Sequence, residues 1–258
     1  MVKEKWCKTA LSCSKLPGLT YSLNPYFGCH HGCTYCYVPN VLHVKQHIWA
    51  EVQVKINIPL VLRKELKKKN IGIVGLSTAT DAYQPLEKEY ELTRKCLLLL
   101  LKHQFPIDIL TKSDLVLRDV DIIKEFRNAT VGITISTLDD KERQLLEPHA
   151  PSIQRRLNAV KTLADENIFS YIFFGPVYPS VKKDQLKSYV DIFKDMGAQE
   201  IIIDSLHLKR DTWSRISSVL SEEKKKLYWD RISRDYYHEI LMEMKKICRG
   251  RIPLRRAF

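Results

Sequence analysis

Five times between residues 71 and 206 the chain runs into a short apolar stretch that ends in a polar loop. The stretches are 71–77, 106–113, 129–137, 169–176 and 200–206, with a shorter one upstream at 20–23. Continuous Ile, Val, Leu and Phe runs of this length mark strands covered on both faces. Residues 52–58 alternate with period two, a half-exposed strand, and helical spacing at 59–69, where Leu60, Leu62 and Leu66 would face inward, and at 87–102, 117–127, 139–146, 152–167 and 184–196 fills most of the gaps. Such alternation predicts βα units around a parallel sheet, an α/β fold. In barrel-like versions the functional residues gather at the C-terminal ends of the strands. That rule brings Ser77 to Asp81, Lys112 and Ser113, Ser136 and Thr137, Gly175 and Pro176, and Asp204 to His207 to one mouth. Ser, Thr and Asp after a strand also serve as helix caps, and Asp81 and Thr137 are read as caps or turn residues. Lys112, beside Ser113, is either a carboxylate holder or a solvated loop lysine.

The loop after the first strand carries different chemistry. Tyr26-Phe27-Gly28-Cys29-His30-His31-Gly32-Cys33-Thr34-Tyr35-Cys36-Tyr37 sets three cysteines in C-x3-C-x2-C spacing behind Asn24-Pro25. Thiolates this close together on a glycine-bearing loop can converge on one metal centre. A closed structural zinc site wants four ligands, so His30 or His31 would have to supply the fourth. A 4Fe-4S cluster held by three thiolates leaves one iron open for a small-molecule ligand. Three buried free thiols would have no reason to cluster among glycines and histidines.

The 258 residues are 45% hydrophobic and 28% charged, ample for a packed core. No apolar run reaches bilayer length; Leu97 to Leu101 is flanked by Lys95 and Lys102. No apolar signal segment opens the chain, and no membrane partner is expected. Seven cysteines, three of them clustered, do not read as a disulfide framework and fit a reducing cytoplasm. Cys7 and Cys13 match no second cluster motif. Lys and Arg number 42 against 30 Asp and Glu, a formal net charge of +12. A basic excess favours polyanions through phosphate contacts and counterion release, which makes DNA or RNA a candidate substrate. A merely lysine-rich surface is the alternative.

Residues 1–20 read as an N-terminal extension, 21–210 as the βα unit and 211–258 as a basic helical extension. The last segment interleaves Trp213, Tyr228, Trp229, Tyr236 and Tyr237 with Lys224, Lys225 and Lys226. Aromatics among cations can stack bases and hold phosphates. The expectation is that these aromatics close the open side of the sheet while the tail 249–256 stays free.

C-x3-C-x-Tyr35-C is the signature of the radical S-adenosylmethionine (SAM) enzymes. The chain resembles that superfamily's spore-photoproduct-lyase-like branch, also called DNA repair photolyase-like. The resemblance is carried by Asn24-Pro25-Tyr26 with the cysteine loop, residues 80–87, Thr111-Lys112-Ser113 with Arg118-Asp119, Glu147-Pro148 with Arg155-Arg156-Leu157, and Gly175-Pro176. It covers residues 20–210 and implies a partial (β/α)6 barrel. It implies Cys29, Cys33 and Cys36 as ligands of a 4Fe-4S cluster. The open iron would bind SAM, and an external one-electron reductant would drive SAM cleavage to methionine and a 5′-deoxyadenosyl radical. Tyr35 would pack beside the cluster and the SAM adenine. Ser77, Thr78 and Thr80 would contact the SAM amino group, Lys112 and Ser136 its carboxylate and ribose, and Gly175 the cofactor. The lyase uses a cysteine after the second strand as hydrogen donor; this chain has Ser77, Thr78, Ala79 and Thr80 there. Dimer reversal by that route is therefore not expected.

Three readings remain open on the sequence. The first is a radical SAM enzyme acting on a nucleic acid. The second is a radical SAM enzyme acting on a small molecule or a protein. The third is a zinc-stabilised nucleic-acid-binding module without catalysis.

Overall fold

The structure is a computed structural model that describes residues 2–208, 210–232 and 234–257. Among the described residues eleven strands run in chain order: β1 Lys3–Lys5, β2 Leu11–Cys13, β3 Tyr21–Leu23, β4 Tyr26–Phe27, β5 Gln53–Lys55, β6 Val74–Leu76, β7 Ile107–Thr111, β8 Ala129–Thr134, β9 Phe169–Phe174, β10 Glu200–Ile203 and β11 Leu254–Arg256. The main sheet has the order β11-β10-β9-β8-β7-β6-β3-β2. Every neighbouring pair from β3 to β11 is parallel, and only β2 runs antiparallel, on β3. The apolar runs are its strands: Val74 and Leu76, Ile107 and Ile109, Val131 and Ile133, and Ile201 and Ile203 are buried. Helices cover the sheet through single stripes. Ile153–Asp165 buries Ile153, Leu157, Val160 and Leu163, a helical spacing, and Ser152 caps its start by accepting from the Arg155 N–H.

Several local expectations are corrected. The period-two stretch 52–58 forms β5, but in a separate small sheet with β1 and β4. In the next helix, Ile58–Glu65, the buried stripe is Ile58, Leu62 and the following Leu66; Leu60, expected to face inward, falls off that spacing and is exposed. The expected helix over 87–102 is two helices, Glu87–Tyr90 and Leu92–Lys102, broken where Glu91 takes φ +50°. The Glu87 carboxylate turns inward there and accepts from the Thr93 N–H at 2.9 Å, capping the second helix. The expected helix over 117–127 is a 3-10 turn, Asp114–Asp119, and the short helix Val120–Ile123. Arg118 and Asp119 are drawn out of helical spacing into a buried ion network with Glu87 and Arg94.

Beyond β10 follow helices Arg210–Ser217, Glu222–Arg231 and Arg234–Cys248. Tyr228 Oη donates to Glu142 at 2.8 Å, Tyr236 Oη to the Val181 carbonyl at 2.7 Å and Tyr237 Oη to the Ile203 carbonyl at 3.3 Å. Three of the five expected aromatics are thus tied to residues that follow or end β8, β9 and β10, whereas Trp229 is exposed. The arginine tail is not free. Leu254–Arg256 adds β11 in parallel to β10, and Arg255 pairs with Glu200 at 3.0 Å. Among the described residues no helix is long and apolar enough to cross a membrane.

Candidate active site

The C-terminal ends of β6 to β10 and the cysteine loop surround a cavity of about 270 Å³. Cys29, Cys33 and Cys36 all line it, with Tyr35 beside them. Across from them are Ser77, Thr78 and Thr80 after β6, Lys112 after β7, Gly175 after β9 and Asp204 to His207 after β10. Ser136 lies behind this wall; its Oγ donates to the Gly175 carbonyl at 3.0 Å. Thr137 is a turn residue as expected, its Oγ1 accepting from the Asp139 N–H at 3.0 Å.

Local hydrogen bonds set the loop's shape. Gly28 takes φ +87°, and a Cβ there would sit 2.5 Å from the Trp49 carbonyl oxygen, so only glycine fits. The Gly28 carbonyl accepts from Thr80 Oγ1 and from Gln84 Nε2, and Gln84 Oε1 accepts from the His30 N–H. Asn24 ties the other side: its Oδ1 accepts from the Ala79 N–H at 3.0 Å and its Nδ2 donates to Thr78 Oγ1 at 3.2 Å. Two of the candidate SAM-contacting hydroxyls therefore hold the loop to the β6 end. Ser77 is different. Its backbone takes φ +71°, and its buried Oγ has no hydrogen-bond partner among the described residues. A strained residue with an orphaned hydroxyl in a cavity wall is what a ligand contact looks like before the ligand is bound.

Asp81 joins the loop to β7. Its Oδ1 accepts from the Tyr83 N–H and from Thr111 Oγ1, and its Oδ2 from the Lys112 N–H. Asp81 is thus a turn residue, as expected, with a further contact: His31 Nε2 lies 3.1 Å from its Oδ2. The contact falls short of an aligned hydrogen bond, and neither ring nitrogen has an aligned partner among the described residues. Burial would raise the Asp81 pKa, but His31, Thr111 and the Lys112 N–H outweigh it and hold the carboxyl well below its usual range.

Behind Tyr35 lies a network that the sequence did not announce. Tyr35 Oη donates to Glu147 Oε1, Tyr178 Oη reaches the same oxygen at 3.3 Å, and Arg156 holds Glu147 Oε2. Arg156 also donates to the Pro151 and Thr134 carbonyls. Tyr35 and Tyr178 meet edge to face with centroids 5.7 Å apart. Glu147 and Arg156 were visible only as part of the resemblance; Tyr35 and Glu147 are 112 positions apart, and no local pattern pairs them.

Lys112 Nζ stands 5.6 Å from the centroid of the Tyr35 ring. Burial pulls its pKa down, but Cys33 and Glu147 more than offset this, and it ends above the ordinary lysine value. A half-buried, lasting cation thus shares the cavity with the thiols. The thiols themselves are pushed up by burial, Cys33 to about 12, so metal binding must release protons. Three thiols on one wall, a fixed cation opposite and an orphaned hydroxyl fit an anionic iron–sulfur cluster with a SAM ligand. The zinc alternative fits less well. Of the two histidines that would supply a fourth zinc ligand, His31 is turned to Asp81.

The family model that matches the chain is that of the radical SAM superfamily, over residues 23–192. The chain belongs to the radical SAM superfamily. An uncharacterized protein of Methanocaldococcus jannaschii is 38% identical over 179 residues, 67% of this chain and 66% of that relative. A radical SAM Nalpha-GlyT isomerase of Pseudomonas phage M6 is 24% identical over 182 residues, 69% of this chain and 38% of the isomerase. Among solved structures, a spore photoproduct lyase variant with bound SAM and dinucleoside spore photoproduct superposes with a TM-score of 0.74 at 14% identity. That superposition covers 100% of this chain and 82% of the lyase. At that identity it shows a shared fold.

Proposed function

We propose that this protein cleaves SAM reductively at a 4Fe-4S cluster held by Cys29, Cys33 and Cys36 and directs the resulting 5′-deoxyadenosyl radical at a nucleic acid. The observation that carries the reading is the single cavity in which these three thiols face Lys112 and the orphaned Ser77 hydroxyl. One-electron cleavage of SAM is the chemistry that such a cluster supplies when bound. The remaining work belongs to the chain. Lys112 would hold the SAM carboxylate by charge, and Ser77, with Thr78 and Thr80 behind it, would meet the amino group. Tyr35, fixed by Glu147, would pack against the cofactor. Gly175, held by Ser136, would line the cofactor's other side. Trp49, Leu110 and Phe173 line the same cavity and would limit water around a reactive radical. We read residues 21–210 as a partial (β/α)6 barrel, with 1–20 and 211–258 as extensions. Electrons would come from an external reductant in a reducing cytoplasm.

The nucleic-acid target is supported by the +12 charge and by likeness to a fold that, in the lyase, holds a dinucleoside photoproduct. A base extruded from its stack is a substrate of a size that a confined mouth accepts. Asp204 on the rim supports a second reading, a small molecule or peptide whose hydrogen-bond donor meets the carboxylate. The test is anaerobic reconstitution with iron and sulfide, then SAM and dithionite, with chromatography for 5′-deoxyadenosine. Its formation is expected, and DNA or RNA is expected to change its rate. No 5′-deoxyadenosine from protein loaded with roughly four irons would overturn the enzyme reading.

A further inference from the structure

Trp229 sits 62% exposed on helix Glu222–Arg231, with its ring centroid 5.3 Å from that of Trp213 on helix Arg210–Ser217. Trp213 is half-buried and packs on the core, so it backs Trp229 while most of the Trp229 ring remains in water. Large aromatic rings are ordinarily among the most buried side chains. Lys226, exposed, precedes Trp229 by three residues and so shares its helical face. Residues 211–258 as a whole carry twelve Lys or Arg against seven Asp or Glu.

The platform is fastened to the mouth. Arg215, two residues past Trp213, donates to the Cys36 carbonyl at 2.7 Å and to Gln46 Oε1 at 2.9 Å. Asn40 Nδ2 reaches Thr212 Oγ1 at 3.4 Å. Next to Cys36 is Tyr37, 44% exposed and on the cavity wall. The Trp213–Trp229 stack is thus tied through Arg215 to the cysteine loop, where Tyr37 presents a second exposed ring.

We propose that Trp229, backed by Trp213, is a base-stacking platform for single-stranded nucleic acid. It would hold a nucleotide that flanks the one delivered to the cavity. The inference rests on the nucleic-acid reading above and adds the surface and the strandedness. A π-face accepts every base without hydrogen-bond readout, and lysine meets the phosphates, which is the chemistry of sequence-tolerant single-strand binding. A protein partner would be served by the same rings but has no need of Lys226 or of the basic excess of residues 211–258.

The experiment is fluorescence anisotropy of labelled oligothymidylate and oligouridylate, and of a duplex of the same length, titrated with the full chain. Trp229→Ala is expected to weaken single-strand binding by roughly 5- to 150-fold, and Trp229→Phe to restore most of it. Lys226→Ala is expected to weaken binding and reduce the salt slope. All three variants should keep the wild-type far-ultraviolet circular dichroism, and Trp229→Phe and Lys226→Ala the melting temperature, because both residues are exposed and the phenyl ring keeps the contact with Trp213. Wild-type-like binding by Trp229→Ala, or tighter binding of the duplex, overturns the platform and leaves the nucleic-acid reading standing. No binding of any oligonucleotide by the wild-type chain at low salt overturns both. A change of oligomeric state on Trp229→Ala, with unchanged oligonucleotide binding, assigns the rings to self-association instead.

Discussion

Glu147 and Arg156 meet as an ion pair in which neither side chain has any solvent-exposed surface. The pair draws together the end of β8 through Thr134, the loop before helix Ile153–Asp165 through Pro151, and the cysteine loop through Tyr35. Removing one partner leaves a buried charge uncompensated, which typically costs about 3–5 kcal/mol. Replacing both by apolar groups removes the uncompensated charge together with the pair. Arg156→Met is therefore expected to lower the unfolding free energy by about that amount, and Glu147→Leu with Arg156→Met by clearly less. Urea unfolding of the metal-free protein under reductant measures both. Equal losses in the single and double variants would mean that the charge is not what matters.

Lys112 makes a separate prediction on binding. A charge-assisted hydrogen bond contributes about 1.5–3 kcal/mol, so Lys112→Met should weaken SAM binding to cluster-loaded protein by roughly ten-fold or more. Iron content should not change, because Lys112 is not among the thiol ligands proposed. Lys112→Arg should not restore affinity, since a planar fork does not replace a compact ammonium in an enclosed wall. The Lys112 pKa is raised, so the ammonium persists through the ordinary lysine range and SAM affinity should stay flat through mildly alkaline pH. Anaerobic calorimetry checks all three. A falling affinity between neutral and mildly alkaline pH would point to another group.

These two cases mark where the sequence was legible. The strands were, because each is a local apolar run: 129–137 contains β8, and 200–206 contains β10. The mouth residues followed from them, since a parallel sheet puts the strand ends on one side. Lys112 and Ser77 were found that way. Glu147 and Arg156 were not, because their partner Tyr35 lies far away in sequence and meets them only through the topology. The His31 contact with Asp81 is hidden for the same reason. Leu254–Arg256 was read as a tail because an edge strand with one apolar residue lacks the periodicity that identifies a strand. The alternation over 52–58 said strand but could not say which sheet it joins.

Acid should unfold the protein through its buried carboxylates. The pKa values of Asp81 and Glu147 both fall below their unfolded values on folding; burial opposes this, and the His31 ring and the Arg156 guanidinium outweigh it. A depressed folded pKa gives stability that is complete above the unfolded value and is lost progressively as pH falls from there through the folded value. Unfolded Asp and Glu titrate near 3.9 and 4.3, so melting temperature should hold above about pH 5 and fall steadily below about pH 4. Asp108 and Asp204 are raised by burial and act in the opposite sense. Glu147→Gln should lower stability at neutral pH and make the acid slope shallower. Thermal melts of the metal-free chain across this range decide it, and an unchanged slope in Glu147→Gln would assign the acid loss to other groups.

Gly28 and Gly18 separate two costs that are usually confounded. Both take positive φ, +87° and +79°. A Cβ at Gly18 would meet nothing within 4 Å, whereas one at Gly28 would sit 2.5 Å from the Trp49 carbonyl oxygen and 3.2 Å from Val52 Cα. Gly18→Ala therefore measures the left-handed backbone alone, about 1–2 kcal/mol. Gly28→Ala adds a backbone clash that no side-chain rotation relieves, so its loss should exceed that of Gly18→Ala. The clash must also move residue 28 away from Thr80 and Gln84, which hold its carbonyl. Cys29 is the next residue, so the displacement reaches the first thiol. Iron bound after anaerobic reconstitution should accordingly drop in Gly28→Ala and stay at the wild-type level in Gly18→Ala. If both variants lose the same stability and both load iron normally, the contact with Trp49 is not what fixes the cysteine loop.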